Sequence, residues 1–203
     1  MRLQFFKPEA FRPGDILHVT STGFFSRAIR RCINSKGSHD AMLIFSGGGW
    51  CVGESLLGAG STLTPLAKYE EDMAVGKTLV SILRIPETSA SDQFAAQGWW
   101  INHVFGKTYD RRAIGRVFIK CIFGDWCKSA AGWEWAWYCT EGIRAAWTTP
   151  AMSRDCDIWG KNNPTPGTTE KRVAEGKLLD VTSDCLTRAG ARYILNIPQK
   201  DTL

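Results

Sequence analysis

A glycine triplet between two short extended segments is the feature that most constrains how this chain can fold. Residues 41–45 form an apolar block, residues 47–49 are Gly-Gly-Gly, and residues 50–55 resume an extended pattern. This arrangement predicts a β-hairpin with a tight turn at the glycines. His39 enters the first strand of the hairpin, and Glu54 lies in the second.

Further strands and helices are predicted on both sides of the hairpin. Residues 16–20 follow a Pro-Gly-Asp turn signal and form a predicted strand, and residues 78–85 form another that ends at a proline. Apolar residues spaced three to four apart predict helices over residues 24–33, 91–105 and 138–147. The 91–105 helix is expected to be capped by a serine or aspartate near 91 and 92.

The segments between and after these elements are predicted to be irregular or short. Residues 63–66 and 69–72 are interpreted as a surface crossover, and residues 155–169, rich in Asn, Pro and Gly, as the best candidate for a mobile loop. A tryptophan-rich insertion covers about residues 113–137, and its aromatic side chains could line a cleft or fill the core. A short helix at 170–176 and a strand at 192–197 are expected to end the chain.

Size and composition predict one domain covering residues 1–203. The chain is 44% hydrophobic and 22% charged, as is typical of a globular protein. No run reaches the ~18 apolar residues of a membrane span, so we expect no transmembrane segment. Residues 1–13 lack the apolar centre of a secretory signal, so we expect synthesis in the cytoplasm without a signal peptide.

The chain carries 25 Lys and Arg residues against 20 Asp and Glu residues, a net charge of +5. This excess favours weak contact with anionic partners. The basic residues in 27–36 and 111–120 have spacings that place them along one helical face. They are either a solvated surface or a nucleic-acid contact, and we expect no specific nucleic-acid partner.

The cysteines do not suggest a disulfide framework or a zinc ribbon. There are seven, an odd number, and no two are spaced as Cys-x-x-Cys. Reduced thiols are the simpler interpretation, and a pair or shared metal at Cys121 and Cys127 is disfavoured because no histidine is nearby. We expect neither a metal nor a cofactor.

Cys139 is the cysteine best placed for nucleophilic chemistry, because it stands where the 138–147 helix should begin. A helix N-terminus lowers the pKa of a thiol, and its free N–H groups can stabilise the oxyanion of a tetrahedral intermediate. The thiolate also needs a base. Of the three histidines, His39 stands just before an apolar strand, where its side chain can project into a cleft. Glu54 on the neighbouring strand could orient the His39 ring.

Five motifs in a fixed order resemble the permuted papain-like amidases of the NlpC superfamily, the YaeF/YiiX group. They are Gly-Asp-Ile-Leu at 14–17, Ser-His-Asp-Ala-Met-Leu-Ile at 38–44, Glu-Ser at 54–55, Gly-Lys-Thr-Tyr-Asp at 106–110 and Tyr-Cys-Thr-Glu at 138–141. The resemblance implies an α+β, circularly permuted papain-like fold: a small antiparallel β-sheet or barrel packed against helices, with the catalytic cysteine at a helix N-terminus. It also implies Cys139 as nucleophile, His39 as base and Glu54 as orienting residue.

The same resemblance implies a function and a set of substrate contacts. The predicted activity is hydrolysis of an amide bond through a thioacyl-enzyme, with a peptide or peptidoglycan-like substrate. A phage-encoded enzyme carried on the virion, with phage tail proteins as partners, would suit such a substrate. Two alternatives stay open: a lipid-directed thioesterase or acyltransferase, and a non-catalytic virion or assembly binding module. The predicted substrate-binding residues are Tyr109, Asp110, Tyr138 and Asp40.

Overall fold

The structure, a computed structural model, describes residues 5–109, 136–137, 139–150, 152, 156–159 and 164–191. Three interpretations of the sequence therefore concern residues outside the described ones: the substrate contacts of Asp110 and Tyr138, the disfavoured pairing of Cys121 with Cys127, and the strand at 192–197. Nearly all of the tryptophan-rich insertion also lies outside them.

A six-stranded antiparallel sheet forms the centre of the fold, in the order β4-β3-β2-β1-β5-β8. Two short strands, β6 and β7, pair in parallel beside it. The sheet is not a closed barrel, so that alternative was wrong, and the alternative of an antiparallel sheet packed against helices is confirmed. The strands are β1 (Ile16–Ser21), β2 (His39–Ser46), β3 (Gly49–Leu56), β4 (Gly60–Pro65), β5 (Thr78–Arg84), β6 (Thr108–Tyr109), β7 (Ala136–Trp137) and β8 (Leu179–Asp180).

Helices cover both faces of this sheet. A short 3-10 helix at Pro8–Ala10 precedes β1. The α-helices in the described residues are α1 (Phe24–Ile33), α2 (Leu66–Ala74), α3 (Ala90–His103), α4 (Cys139–Trp147), α5 (Pro166–Ala174) and α6 (Thr182–Cys185). None of them is long and apolar enough to cross a membrane.

Alternating side chains of the central strands feed two separate cores. Leu43 and Ala41 of β2 pack on the face that α2 covers, with Met73 from that helix. Met42 of β2 packs on the opposite face, where Trp100 of α3 and other side chains of α3 and α4 bury the sheet. Successive residues of a strand point to opposite faces, so neighbours in the sequence enter different cores. The same alternation places the side chains of His39 and Asp40 on opposite faces of the sheet.

Close packing of α4 against α3 fixes the helix that begins with Cys139. A side chain at Gly142 would start 3.3 Å from a methyl carbon of Val104 and 3.5 Å from the indole nitrogen of Trp100. Glycine at this position therefore lets the two helices approach closely, although it lowers helix propensity by about 1 kcal/mol relative to alanine. The approach brings the start of α4 beside β2.

Most of the predicted elements are confirmed, and three need correction. The strand 16–20, the helix 24–33, the hairpin and the helix beginning near 138 correspond to β1, α1, β2–β3 and α4. The N-cap of α3 is Ser89, two residues before the expected position, and Asp92 completes a capping box: the Ser89 hydroxyl accepts from the N–H of Asp92, and the Asp92 carboxylate accepts from the N–H of Ser89. Residues 63–72 are not a surface crossover: they continue β4 and form α2. α5 begins at Pro166 with Thr165 as its cap, so residues 166–169 of the expected loop are helical.

Candidate active site

Cys139, His39 and Glu54 line one cavity of about 430 Å³, which lies on the face of the sheet that α2 covers. Cys139 is the first residue of α4, His39 is the first residue of β2, and Glu54 lies in β3. β2, an inner strand of the sheet, begins beside the start of α4, so the histidine and the cysteine meet at that end of the strand. Three residues far apart in the sequence are thus brought together as the sequence predicts.

Glu54 is a buried carboxylate that receives two hydrogen bonds on one oxygen. Its side chain is 4% exposed, and Oε2 lies 3.1 Å from His39 Nε2 and 2.6 Å from the Tyr69 hydroxyl, which donates to it. Burial alone raises the pKa of Glu54, but the bond and charge of His39, with further bonds from Thr64 and Tyr69, lower it below its ordinary value. Glu54 is therefore ionised at neutral pH and fixes one nitrogen of the His39 ring.

The thiol of Cys139 and the ring of His39 stabilise each other's charged forms. Burial alone lowers the pKa of His39, but hydrogen bonds with Cys139 and Glu54, reinforced by their charges, raise it to about 10. Burial alone raises the pKa of Cys139, but the hydrogen bond and positive charge of His39 lower it below its ordinary value. With Nε2 occupied by Glu54, Nδ1 is the nitrogen left for the thiol. The arrangement favours a thiolate–imidazolium pair.

Tyr69 completes this site, and the sequence interpretation missed it. Burial and the charge of Glu54 raise the pKa of Tyr69 well above its ordinary value, so its hydroxyl stays protonated and donates. A detectable signal was present: Leu66, Tyr69, Glu70 and Met73 follow the i, i+3, i+4, i+7 spacing of a helix face, and all four are buried. The acidic residues between them concealed this period.

Two of the predicted substrate contacts, Tyr109 and Asp40, lie within the described residues, and their positions relative to the cavity differ. Tyr109 of β6 lines the cavity together with Cys139. Asp40 does not, in contrast to the prediction that it contacts substrate: it is fully buried on the opposite face of β2. Its carboxylate oxygens are occupied by His18, Thr140 and Thr169. The reason is the strand period, which turns Asp40 away from the face that carries His39.

Comparison with solved structures finds a similar fold. The crystal structure of YiiX from Escherichia coli O157:H7, described as a metalloprotein, matches with a TM-score of 0.51 and 20% sequence identity. The match covers 87% of this chain and 94% of that chain. The likeness shows the fold. No protein-family model matches the chain, and no curated protein matches it.

Within the described ranges, no three His, Cys, Asp or Glu side chains are grouped so that they could hold a metal ion. His18, which lies between Asp40 and Glu170, has both ring nitrogens engaged by carboxylates. A histidine that donates from both nitrogens has no lone pair for a metal.

Proposed function

We propose that this protein is a cysteine hydrolase that cleaves an amide bond, with Cys139 as nucleophile, His39 as general base and acid, and Glu54 as the residue that orients His39. One observation carries the proposal: the Cys139 thiol shares a cavity with a histidine whose other nitrogen is fixed by a buried carboxylate. Covalent acyl-transfer catalysis requires a nucleophile that contacts a base and an orienting group that contacts the same base.

The proposed reaction proceeds through a thioacyl-enzyme. The Cys139 thiolate attacks the carbonyl carbon, and the developing oxyanion lies near the backbone N–H of Cys139 at the start of α4. Protonated His39 then donates its proton to the leaving amine as the carbon–nitrogen bond breaks. In the second half, neutral His39 takes a proton from water, which attacks the thioester and releases the acid and the free thiolate. Tyr109 is proposed to contact the substrate.

A bacterial cell-wall peptide is the substrate class that the sequence resemblance implies, and a virion location with phage tail partners is proposed only because it would suit such a substrate. The cavity lining favours a second candidate, a thioesterase or acyltransferase acting on a fatty acyl group. Phe25, Ile29, Leu56 and Leu57 contribute apolar surface to the cavity, which suits an acyl chain. The third candidate is a binding module that uses the same fold without catalysis.

Alkylation of Cys139 separates a catalytic site from a binding module. Wild-type protein is treated with iodoacetamide near pH 7, and the rate at Cys139 is read by peptide mass. We expect rapid alkylation in the wild type, a large loss of rate in His39→Ala, and a smaller loss in Glu54→Gln. The pKa of Cys185 is raised by burial to about 11, so its slow alkylation in the same sample is an internal control. A slow Cys139 unaffected by His39→Ala would contradict the proposal.

Product analysis separates the two hydrolase candidates. The purified protein is incubated with peptidoglycan fragments and with a panel of acyl esters and thioesters, and the products are read by mass. Cys139→Ser is the matched inactive control. Release of a free amine and acid from the peptide supports the amidase, whereas release of fatty acid supports the thioesterase. Cleavage that persists in Cys139→Ser would argue against both.

A further inference from the structure

A second histidine–carboxylate cluster lies on the opposite face of the sheet from His39. His18 of β1 is directly opposite Asp40 of β2 in the register. His18 Nδ1 lies 2.7 Å from Asp40 Oδ1, and His18 Nε2 lies 3.0 Å from Glu170 Oε1 of α5. A ring with a carboxylate on each nitrogen donates from both and carries a positive charge. His18 is 7% exposed and Asp40 is fully buried, so the cluster is enclosed by protein.

Asp40 joins this cluster to the helix of the nucleophile. Its second oxygen, Oδ2, accepts hydrogen bonds from the hydroxyls of Thr140 at 2.9 Å and Thr169 at 2.7 Å. Thr140 directly follows Cys139 in α4, and Thr169 belongs to α5. Both threonines are fully buried. Asp40 therefore fastens the first turn of α4 and the first half of α5 to the strand that carries His39.

The backbone of Asp40 also acts on the thiol itself. A hydrogen bond with the Asp40 backbone contributes to lowering the pKa of Cys139, while the negative charge of the Asp40 side chain works in the opposite direction. A carboxylate charge that acts on a nucleophilic thiol opposes thiolate formation unless a positive charge compensates it. His18 supplies that charge on the far side of Asp40.

Glu170 keeps His18 in place and ties it to the loop after α1. Besides His18, Glu170 Oε1 accepts from the Ser35 hydroxyl at 2.7 Å and from the backbone N–H groups of Lys36 at 2.7 Å and Gly37 at 2.8 Å. A side chain at Gly37 would start 2.2 Å from the His18 ring, so glycine is needed for the loop to close over the histidine. Loop, α5 and β1 are thus held by one carboxylate.

We propose that Asp40 is a positioning residue for Cys139, that His18 is the buried counter-ion of Asp40, and that Glu170 holds His18 in that role. This inference rests on the proposed function of Cys139. Asp40 acts on Cys139 through Thr140, through its own backbone and through its charge, and neither Asp40 nor His18 lines the cavity that holds the thiol. The cluster explains why a charged aspartate can stand beside the proposed nucleophile.

Several other titratable groups surround the thiol, and none of them is substituted in the variants of this cluster. His39 of β2, Glu54 of β3 and three residues of α2 line the cavity with Cys139, and Glu141 follows it in α4. On the far side, Lys36 lies in the loop held by Glu170. These groups are His39, Glu54, Lys68, Tyr69, Asp72, Tyr109, Glu141 and Lys36.

The test compares the pH dependence of Cys139 alkylation in His18→Gln, Asp40→Asn and the double variant. His18→Gln leaves the Asp40 charge uncompensated, so we expect the midpoint of alkylation to rise by about one pH unit. Asp40→Asn removes the charge, so the midpoint is expected to move in the opposite direction or stay at the wild-type value. The double variant is expected to reverse most of the His18→Gln shift. His103→Gln, at an exposed histidine of α3, is the matched control.

The direction in which each variant shifts the alkylation midpoint distinguishes a counter-ion from a merely structural histidine. A structural role lowers stability in every variant and leaves the midpoint alone. Equal midpoints in His18→Gln and wild type, with rapid alkylation in both, would overturn this inference while leaving the proposed function intact. A slow wild-type thiol would instead overturn the proposed function.

Urea unfolding tests the counter-ion role without reference to the thiol. We expect His18→Gln to be less stable than the double variant His18→Gln/Asp40→Asn, because the single variant buries an uncompensated carboxylate. If His18→Gln does not fold while the double variant does, the same conclusion follows. Equal stability of the single and double variants would overturn the inference.

Discussion

Tyr69→Phe removes one hydroxyl and tests whether the Glu54 carboxylate is ionised and held as the structure indicates. The hydroxyl donates to Glu54 Oε2 at 2.6 Å, and both residues are buried, with exposures of 8% and 4%. A hydrogen bond to a charged group contributes about 1.5–3 kcal/mol to stability, and a neutral one about 0.5–1.5 kcal/mol. We therefore expect Tyr69→Phe to lower the free energy of unfolding by about 1.5–3 kcal/mol at pH 7.

The pH dependence of the stability lost in Tyr69→Phe is a more specific test than its value at pH 7. The pKa of folded Glu54 is lowered, so its contribution is present above the unfolded pKa of 4.5 and is lost as the pH falls through the folded pKa. Once Glu54 is protonated, only a neutral hydrogen bond remains to be lost. The difference between wild type and Tyr69→Phe should then shrink to about 0.5–1.5 kcal/mol.

Urea unfolding of four proteins measures both effects: wild type, Tyr69→Phe, Glu54→Gln and the double variant. The cost of Tyr69→Phe should be smaller in the Glu54→Gln background, because the acceptor there carries no charge. Alkylation of Cys139 should slow in Tyr69→Phe, since Glu54 is then held less firmly against His39. A cost of Tyr69→Phe that is the same at pH 7, in acid and in the Glu54→Gln background would refute the reasoning.

Three further predictions concern the fold around the site. Burial alone lowers the pKa of His18, but Asp40 and Glu170 raise it to about 9. The contribution of His18 to the stability of the wild type is therefore complete below pH 6.5 and is lost as the pH rises to about 9. Urea unfolding should show that the stability of His18→Gln varies less over that range. Gly37→Ala places a carbon 2.2 Å from the His18 ring and should cost about 1–3 kcal/mol in the same assay, whereas Gly49→Ala, with open space around it, should not show that clash. Trp100→Ala should cost about 3–5 kcal/mol, and Phe24→Ala, at an 83% exposed position, less than about 0.5 kcal/mol by thermal denaturation.

The parts of the fold that local sequence could predict are those with short-range signals. The hairpin carries its own turn: Gly47 and Gly48 have φ angles of 59° and 78°, in the region that glycine reaches without strain. The start of α4 at Cys139 follows from hydrophobic period, and His39 and Glu54 follow from their places on adjacent strands. Each of these assignments needs information only from residues nearby along the chain.

Burial of polar side chains could not be predicted in the same way, because it depends on partners far away in the sequence. Glu70 is buried since its carboxylate accepts from the backbone of Phe5 and Phe6, which lie 65 and 64 positions away. Glu170 reaches His18 across 152 positions. A run of acidic residues is normally a solvated surface, and only these distant donors reverse that expectation.

The alternation of side chains along β2 accounts for the positions of both histidine–carboxylate pairs. His39 and Asp40 are neighbours in β2, so their side chains leave the strand on opposite faces. His39 meets Glu54 and the Cys139 thiol on one face, while Asp40 meets His18 and Thr140 on the other. Both faces thus act on the first turn of α4, one through the thiol and the other through the residue that follows it. A shift of β2 by one residue would exchange the faces and separate the proposed base from the nucleophile. The buried Asp40 cluster therefore helps the alternating apolar residues of β2 to fix the register on which the proposed chemistry depends.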